Sequence, residues 1–373
     1  MKDWHMASMT KVGIIGGGNI FPQYINGCRD YPNLDVVAIA DMNMDVANAR
    51  ANEYGLKALT VEAMLADPDI SIIVNLTVPA AHSDVDLQIL AAGKHVYSEK
   101  PLALNGAIGK TVLDAAAKAG LRVSCAPDTF LGGGIQTCRK LIDDGAIGTP
   151  VAGVAFMMTH GWEGWHPNPF FYYSKGGGPL YDMGPYYLTA LVNLLGPVAS
   201  VTASNKMNFA TRTAGHPQHA GKTIPVEVNT HVAGILNFAS GAIITLVMSF
   251  DVWQHTLHNI ELYGTDGSMR VPDPNMFTGK VEVWHPAKHT AGQWESIALT
   301  HRDDIGRGTG VADLAYAIEQ NRPQRASGDL AQHVLDVMDA IEEASAQQKY
   351  IPIASTVDRP AAIPAGLPKG VLD

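Results

Sequence analysis

The order of apolar and polar positions changes character along the chain. In the first third, short β-branched runs recur: KVGIIG (11–16), DVVAIAD (35–41), SIIVNLT (71–77), KHVYSEK (94–100) and LRVSCAP (121–127). Near-continuous apolar runs of this length are the pattern of strands buried on both faces. Between them lie helical stretches, DVANARANEYG, AAHSDVDLQILAAGK and IGKTVLDAAAKAG, each with a glycine at or near its end as helix C-termini often have. Strand, helix, strand in repetition predicts an α/β fold with a doubly wound parallel sheet.

After about residue 150 the runs lengthen and alternate. VAGVAFMMTH, VEVNTHVAGILNFAS, GAIITLVMSFDVW and HNIELYGTDGSMRV predict a large, mostly antiparallel open sheet in a second, α+β domain. GVADLAYAIEQN and DLAQHVLDVMDAIEEASAQ read as late amphipathic helices. The expected division is 10–128 for a dinucleotide-binding domain and 129–350 for a substrate and oligomerisation domain. A tail, 351–373, is expected as an extended wrap or a loose end. The opening, MKDWHMASMT, lacks the apolar core of a signal peptide and is set aside from fold reasoning.

A length of 373 residues suits two domains, and 46% apolar with 17% charged residues is ordinary for a globular protein. The net charge of −10 argues against nucleic acid or an anionic membrane as partner, and no apolar run is long enough to span a bilayer. Cys28, Cys125 and Cys138 are odd in number and form no CxxC pair, so neither a disulfide framework nor a thiolate zinc site is expected. A cytoplasmic setting is the expectation that follows.

VGIIGGGNI runs a strand straight into glycines. Gly16 and Gly18 take the first two places of a GxGxxG turn, where a tight bend lets backbone N–H groups approach a pyrophosphate. Phe21 holds the third place, so the match is incomplete. Asp41 ends the second strand run, where a carboxylate accepts hydrogen bonds from ribose hydroxyls and repels a 2′-phosphate. No arginine follows it in DMNMD. NAD is therefore expected over NADP, with Gly16, Gly18, Asn19, Ile20 and Asp41 at the cofactor.

YSEKPLAL ends a further strand run at its carboxyl edge, where ligands bind in such sheets. Pro101 forces Lys100 out of helical geometry, and an X–Pro bond is the kind that can be cis. In GGGPLYDMGPYYLTAL, Asp182 stands in an apolar run without a neighbouring cation, and a carboxylate there is costly to bury uncompensated. Asp182 and Tyr186 are spaced i,i+4 and share a helical face. Pro179 suits a first turn, while Pro185 either kinks the helix or begins it.

These pieces resemble the glucose–fructose oxidoreductase, inositol dehydrogenase and rhizopine-catabolism (Gfo/Idh/MocA) family over nearly the whole chain. The resemblance rests on VGIIGGGNI, Asp41, TVPAAH (77–82), AGKHVYSEKPLA (92–103), LIDDGAIGTPV (141–151) and GGGPLYDMGPYYLTALVNLLG. It implies a Rossmann domain plus an open-sheet domain whose outer face usually builds a homodimer or homotetramer. It also implies NAD(P)-linked oxidation or reduction of a sugar, polyol or glycoside. By resemblance Thr77, Pro79, His82 and Glu99 line the cofactor site, Lys100 is the catalytic lysine, and Asp182 is the helix aspartate. The commonest family pattern has a histidine four residues after that aspartate and an acid three further on; this chain has Tyr186 and Thr189. Asp182 is then expected to face Lys100 around a substrate hydroxyl. A tyrosine titrates ordinarily near 10, so Tyr186 as the base would need the Lys100 cation beside it. Lys100 as the direct acid or base is the equal alternative.

MTHGWEGWHPNPFFYY (158–173) is dense in aromatic and polar groups, a composition suited to carbohydrate. Trp162, His166 and Asn168 are the expected substrate contacts, with Asp128 a weaker pocket carboxylate. The alternative is an aromatic plug packing the interdomain seam or a subunit contact. TRTAGHPQHAGKT (211–223) reads as a mobile loop. The histidine pairs 216/219 and 255/258 lie in no convincing ligand motif, so no metal is expected. Two competing readings stand: an NAD-dependent glycoside hydrolase using transient oxidation, and a dinucleotide-binding sensor without turnover. Lys100, Asp182 and Tyr186 together argue against the sensor.

Overall fold

A computed structural model describes residues 9–288, 290 and 292–373. These residues divide into two compact units, one of those up to 132 with 300–332 and 360–373, the other of those within 133–299 with 333–359.

The first unit holds β1 (Thr10–Ile15), α1 (Phe21–Cys28), β2 (Leu34–Ala40), α2 (Met44–Tyr54) and β3 (Lys57–Leu59), followed by α3 (Val61–Ala66), β4 (Ile72–Asn75), α4 (His82–Ala91), β5 (His95–Ser98), α5 (Gly106–Ala119) and β6 (Val123–Cys125). The sheet order is β3-β2-β1-β4-β5-β6, parallel throughout. Val12, Ile14, Ile39, Ile72, Ile73, Val74 and Val96 are fully buried. Each side chain of this kind contributes about 1.5–3 kcal/mol by leaving water. The strand order reverses between β1 and β4, so the turns after these strands diverge and leave a crevice at their carboxyl ends.

In the second unit α6 (Gly133–Asp143), β7 (Pro150–Met158) and α7 (Gly178–Leu195) precede β8 (Val198–Lys206), β9 (Thr211–Thr213), β10 (Thr223–Pro225), β11 (His231–Phe238) and β12 (Ile243–Ser249). β13 (Ile260–Gly264), β14 (Ser268–Val271), β15 (Val281–Trp284) and β16 (Glu295–Ile297) follow. The described residues form a sheet in the order β16-β15-β14-β13-β7-β12-β11-β8, antiparallel except where β7 meets β12. HNIELYGTDGSMRV is thus two strands, β13 and β14, paired in a hairpin.

α7 lies against β7, β11 and β12. Sixteen of its 18 residues are buried, and Tyr181 and Asp182 are the two that are not. A helix this apolar on every side belongs inside a core. It begins at Gly178, well before Pro185, which sits inside it and removes one helical hydrogen bond.

The late segment departs from the expected boundaries. Residues 300–332, with α8 (Thr309–Glu319), cluster with the first unit, as does 360–373. Tyr31 Oη and Thr309 Oγ1 lie 2.8 Å apart, and Asn33 donates to the Ala312 carbonyl at 3.1 Å. The tail is a wrap: the Asp373 carboxylate meets Arg322 and Arg325, which also pair with the fully buried Asp313. α9 (Gly328–Gln347) follows, and β17 (Ile351–Pro352) adds a last edge strand beside β8.

Candidate active site

The turn after β1 is shaped for a dinucleotide. Gly16 has φ +105°, and a Cβ there would lie 2.7 Å from the Leu76 carbonyl oxygen, so only glycine keeps the bend. At Gly18 nothing stands within 4 Å of an added Cβ, which leaves backbone open to a close ligand. Gly18 and Asn19 are exposed, and Ile20 at the N-cap of α1 offers no side-chain cap to the helix N–H groups. Those donors and the helix dipole suit a pyrophosphate. Asp41 is oriented by two backbone donors: Gly17 N–H to Oδ2 and Asn43 N–H to Oδ1, each at 2.9 Å. Each carboxylate oxygen keeps lone-pair capacity for a ribose hydroxyl. The residues present fit NAD.

The turn after β4 is held from below. Asn75 Oδ1 accepts from Thr77 N–H at 3.1 Å and Thr77 Oγ1 at 2.7 Å, while its Nδ2 donates to Asp86 at 2.7 Å. Thr77 is half-buried, and Pro79 opens a short 3-10 turn. His82 is 1% exposed, so the imidazole braces the site and does not line it. Its Nδ1 lies 2.7 Å from the Pro101 carbonyl oxygen and its Nε2 3.0 Å from that of Thr77. Burial holds its pKa below the ordinary histidine value, against the pull of both carbonyls.

The Lys100–Pro101 bond is cis. The Glu99 carboxylate accepts from Lys100 N–H at 2.9 Å and from the Tyr24 hydroxyl at 2.8 Å. Arg307 Nη1 stands 3.8 Å from Glu99 and 4.0 Å from Asp128. Glu99 is 8% exposed, so it supports Lys100 more than it faces solvent, whereas Lys100 is half-buried. Asp128 is fully buried and accepts from Gly308 N–H and Gly310 N–H at 3.0 Å, tying down the start of α8. Burial raises its pKa, opposed by Arg307 and those two donors. It is a structural anchor, not the pocket carboxylate expected for it.

In the second unit, Trp162 Nε1 donates to Asp182 Oδ2 at 2.9 Å. Tyr186 lies one turn further along α7 and is 5% exposed. His166 is half-buried, with a pKa lowered chiefly by burial, and accepts from Asn168 N–H at 3.1 Å; the Asn168 side chain is exposed. The stretch 211–223, read as a mobile loop, instead opens on β9 and closes on the first residue of β10, which pairs with it, and Arg212 is buried on β9. Arg212 bonds to Glu163 at 3.2 Å, to the Phe250 carbonyl at 2.8 Å and to Asp251, and Tyr173 also donates to Glu163.

Arg307, Arg212 and Asp86 were not singled out from the sequence. For Arg307 a signal existed: GRGTG flanks an arginine with glycines, the mark of a close backbone approach. Among the described residues no group of three or more His, Cys, Asp or Glu is placed to hold a metal ion. No described helix is long and apolar enough to cross a membrane.

Residues 10–126 match the oxidoreductase family with an NAD-binding Rossmann fold, and residues 135–270 match the GFO/IDH/MocA C-terminal domain. The chain belongs to the Gfo/Idh/MocA family, and its N-terminal domain is the NAD-binding Rossmann domain of that family. It is 31% identical over 156 residues to an inositol 2-dehydrogenase/D-chiro-inositol 3-dehydrogenase of Lactiplantibacillus plantarum, a stretch covering 39% of this chain and 43% of that protein. The chain thus spans less than half the length of that relative. An inositol 2-dehydrogenase of Rhizobium meliloti is 26% identical over 352 residues, covering 92% of this chain and 99% of that one. The crystal structure of an NAD binding oxidoreductase from Klebsiella pneumoniae has a TM-score of 0.80 at 22% identity, covering 94% and 100% of the two chains, which shows a shared fold. The glycoside hydrolase alternative is not favoured by these relatives.

Proposed function

We propose that this chain is an NAD-dependent oxidoreductase acting on a CH–OH group, moving a hydride between the cofactor and a hydroxyl or carbonyl carbon of a sugar or polyol. The observation that carries the reading is the Lys100 turn. A half-buried lysine stands two residues past the carboxyl end of strand β5 of the parallel sheet, its backbone N–H on Glu99 and the next carbonyl on His82. That sheet also carries the open glycine turn and the oriented Asp41.

Nicotinamide, when bound, supplies the hydride acceptor or donor. Gly16 to Ile20 and Asp41 would hold the pyrophosphate and ribose, and Thr77 and Pro79 would line the same site. Lys100 takes the proton of the substrate hydroxyl as oxidation proceeds and returns it in reduction. The near-complete burial of Tyr186 favours Lys100 over the tyrosine as the direct acid or base. Asp182 accepts a hydrogen bond from the substrate, and His166 and Asn168 contact it with the aromatic rings of 165–173. The names of the inositol dehydrogenases support a cyclic polyhydroxy substrate. We further propose a cytoplasmic homodimer or homotetramer, built on the open face where Ile235 and Ile243 stand exposed.

A panel of inositols and pyranoses with NAD or NADP, followed by absorbance of the reduced nicotinamide, tests the reading. Lys100→Met should lower kcat on the order of 100- to 10,000-fold, the usual worth of a general acid or base. Calorimetric NAD binding should stay near that of the wild type. Near-normal turnover in the variant refutes the assignment.

A further inference from the structure

Asp182 leaves α7 at the one place where that helix is not buried, and its neighbour Tyr181 is committed elsewhere, donating to Asp339 at 2.8 Å. The Trp162 indole N–H meets Asp182 at 2.9 Å. An indole N–H is a donor only and does not titrate, so it orients a carboxylate without competing for its proton. The Trp162 ring packs edge-on against Phe250 at 5.6 Å and Trp165 at 5.9 Å.

The backbone around Trp162 is equally constrained. Its carbonyl accepts from His166 N–H at 3.0 Å. The adjacent Glu163 is 7% exposed; its carbonyl accepts from Gly215 N–H at 2.8 Å, and its carboxylate takes Arg212 and Tyr173. Arg212 is fixed in turn by Phe250 and Asp251. A buried ion pair ringed by backbone bonds holds a loop in one arrangement. What it holds here is the donor to Asp182.

We propose that Trp162 is a positioning residue: its indole N–H sets the orientation of the Asp182 carboxylate toward the substrate hydroxyl, and the Arg212–Glu163 pair keeps the indole in place. This rests on the reading that Asp182 receives the substrate. It replaces the role of substrate contact that the sequence suggested for Trp162.

The test has two arms. In protein labelled with 15N at the tryptophan indoles, the Trp162 resonance is assigned by its loss in Trp162→Phe. It should move markedly in Asp182→Asn while the other indole resonances stay. In the kinetic arm, Trp162→Phe keeps the packing and deletes the donor. With the most active sugar or inositol of the panel, its kcat should fall on the order of 10- to 100-fold, as a small misplacement of a reacting group does. KM for NAD should stay within about twofold, and Trp162→His, which restores a ring N–H, should recover most of the loss. An unchanged kcat in Trp162→Phe, or an indole resonance indifferent to Asp182→Asn, overturns the proposal. If Trp162→Phe does not fold, Trp162→His assigns the resonance by its loss and the indole arm decides. A wild-type protein silent on the whole panel defeats the dehydrogenase reading, and the indole arm still decides the pairing.

Discussion

Asp86 on α4 is fully buried behind the strand ends, yet no step of the proposed reaction uses it. Its Oδ1 accepts from Asn75 at 2.7 Å. Burial pushes its pKa from the ordinary 3.8 up to about 7, against the pull of Asn75 and Ser98. Between those two pH values the folded protein keeps a proton that the unfolded chain has lost. Stability from this group is therefore complete below about pH 4, falls as pH rises, and is gone above about pH 7. Three pH units correspond to about 4 kcal/mol as an upper bound. Asp86→Asn keeps an amide oxygen for Asn75 and carries no charge at any pH. Relative to wild type it should gain about 2–3 kcal/mol between pH 5 and pH 8. Amide hydrogen exchange at Val74 and Val96, in the neighbouring strands, reads the opening of this unit, and comparing variant with wild type at equal pH cancels the intrinsic rates. A stability difference that does not change with pH, or a variant that loses ground as pH rises, would refute the reasoning.

Two further outcomes follow from the same unit. Asp41→Ala removes the carboxylate that Gly17 and Asn43 orient, so KM for NAD should rise about tenfold, equivalent to about 1.4 kcal/mol, while NADP is less affected. An unchanged ratio of kcat/KM for NAD over NADP would mean that Asp41 is only a turn residue. Arg307→Met leaves Glu99 and Asp128 buried without the guanidinium beside them, and chemical denaturation should show a loss of about 3–5 kcal/mol. A loss below about 1 kcal/mol would show that the Tyr24 and glycine N–H bonds suffice.

The alternation of strand and helix, the glycine turn with its acid, and the EKP turn were all legible because each is a local pattern. Buried parallel strands must be apolar along their length, and a pyrophosphate turn must be free of side chains. The i,i+4 placement of Asp182 and Tyr186 was legible for the same reason, since helical geometry alone decides it. Partnership was not legible. That His82 braces Pro101 from the core, that Asp128 anchors α8, and that Trp162 holds Asp182 are matters of which side chains meet, and pairs 19, 20 or 180 residues apart leave no local trace.

The sequence by itself determined the class of each unit and singled out candidate residues for cofactor binding and proton transfer, because periodicity and residue type act over a few positions. Only the tertiary structure decided that residues 300–332 return to the first unit and bring Arg307 to Glu99, and that Arg212 is buried under the aromatic loop. A buried charge has to find its counterion somewhere in the folded chain. Which one it finds depends on how the layers pack, and packing is a property of the whole fold.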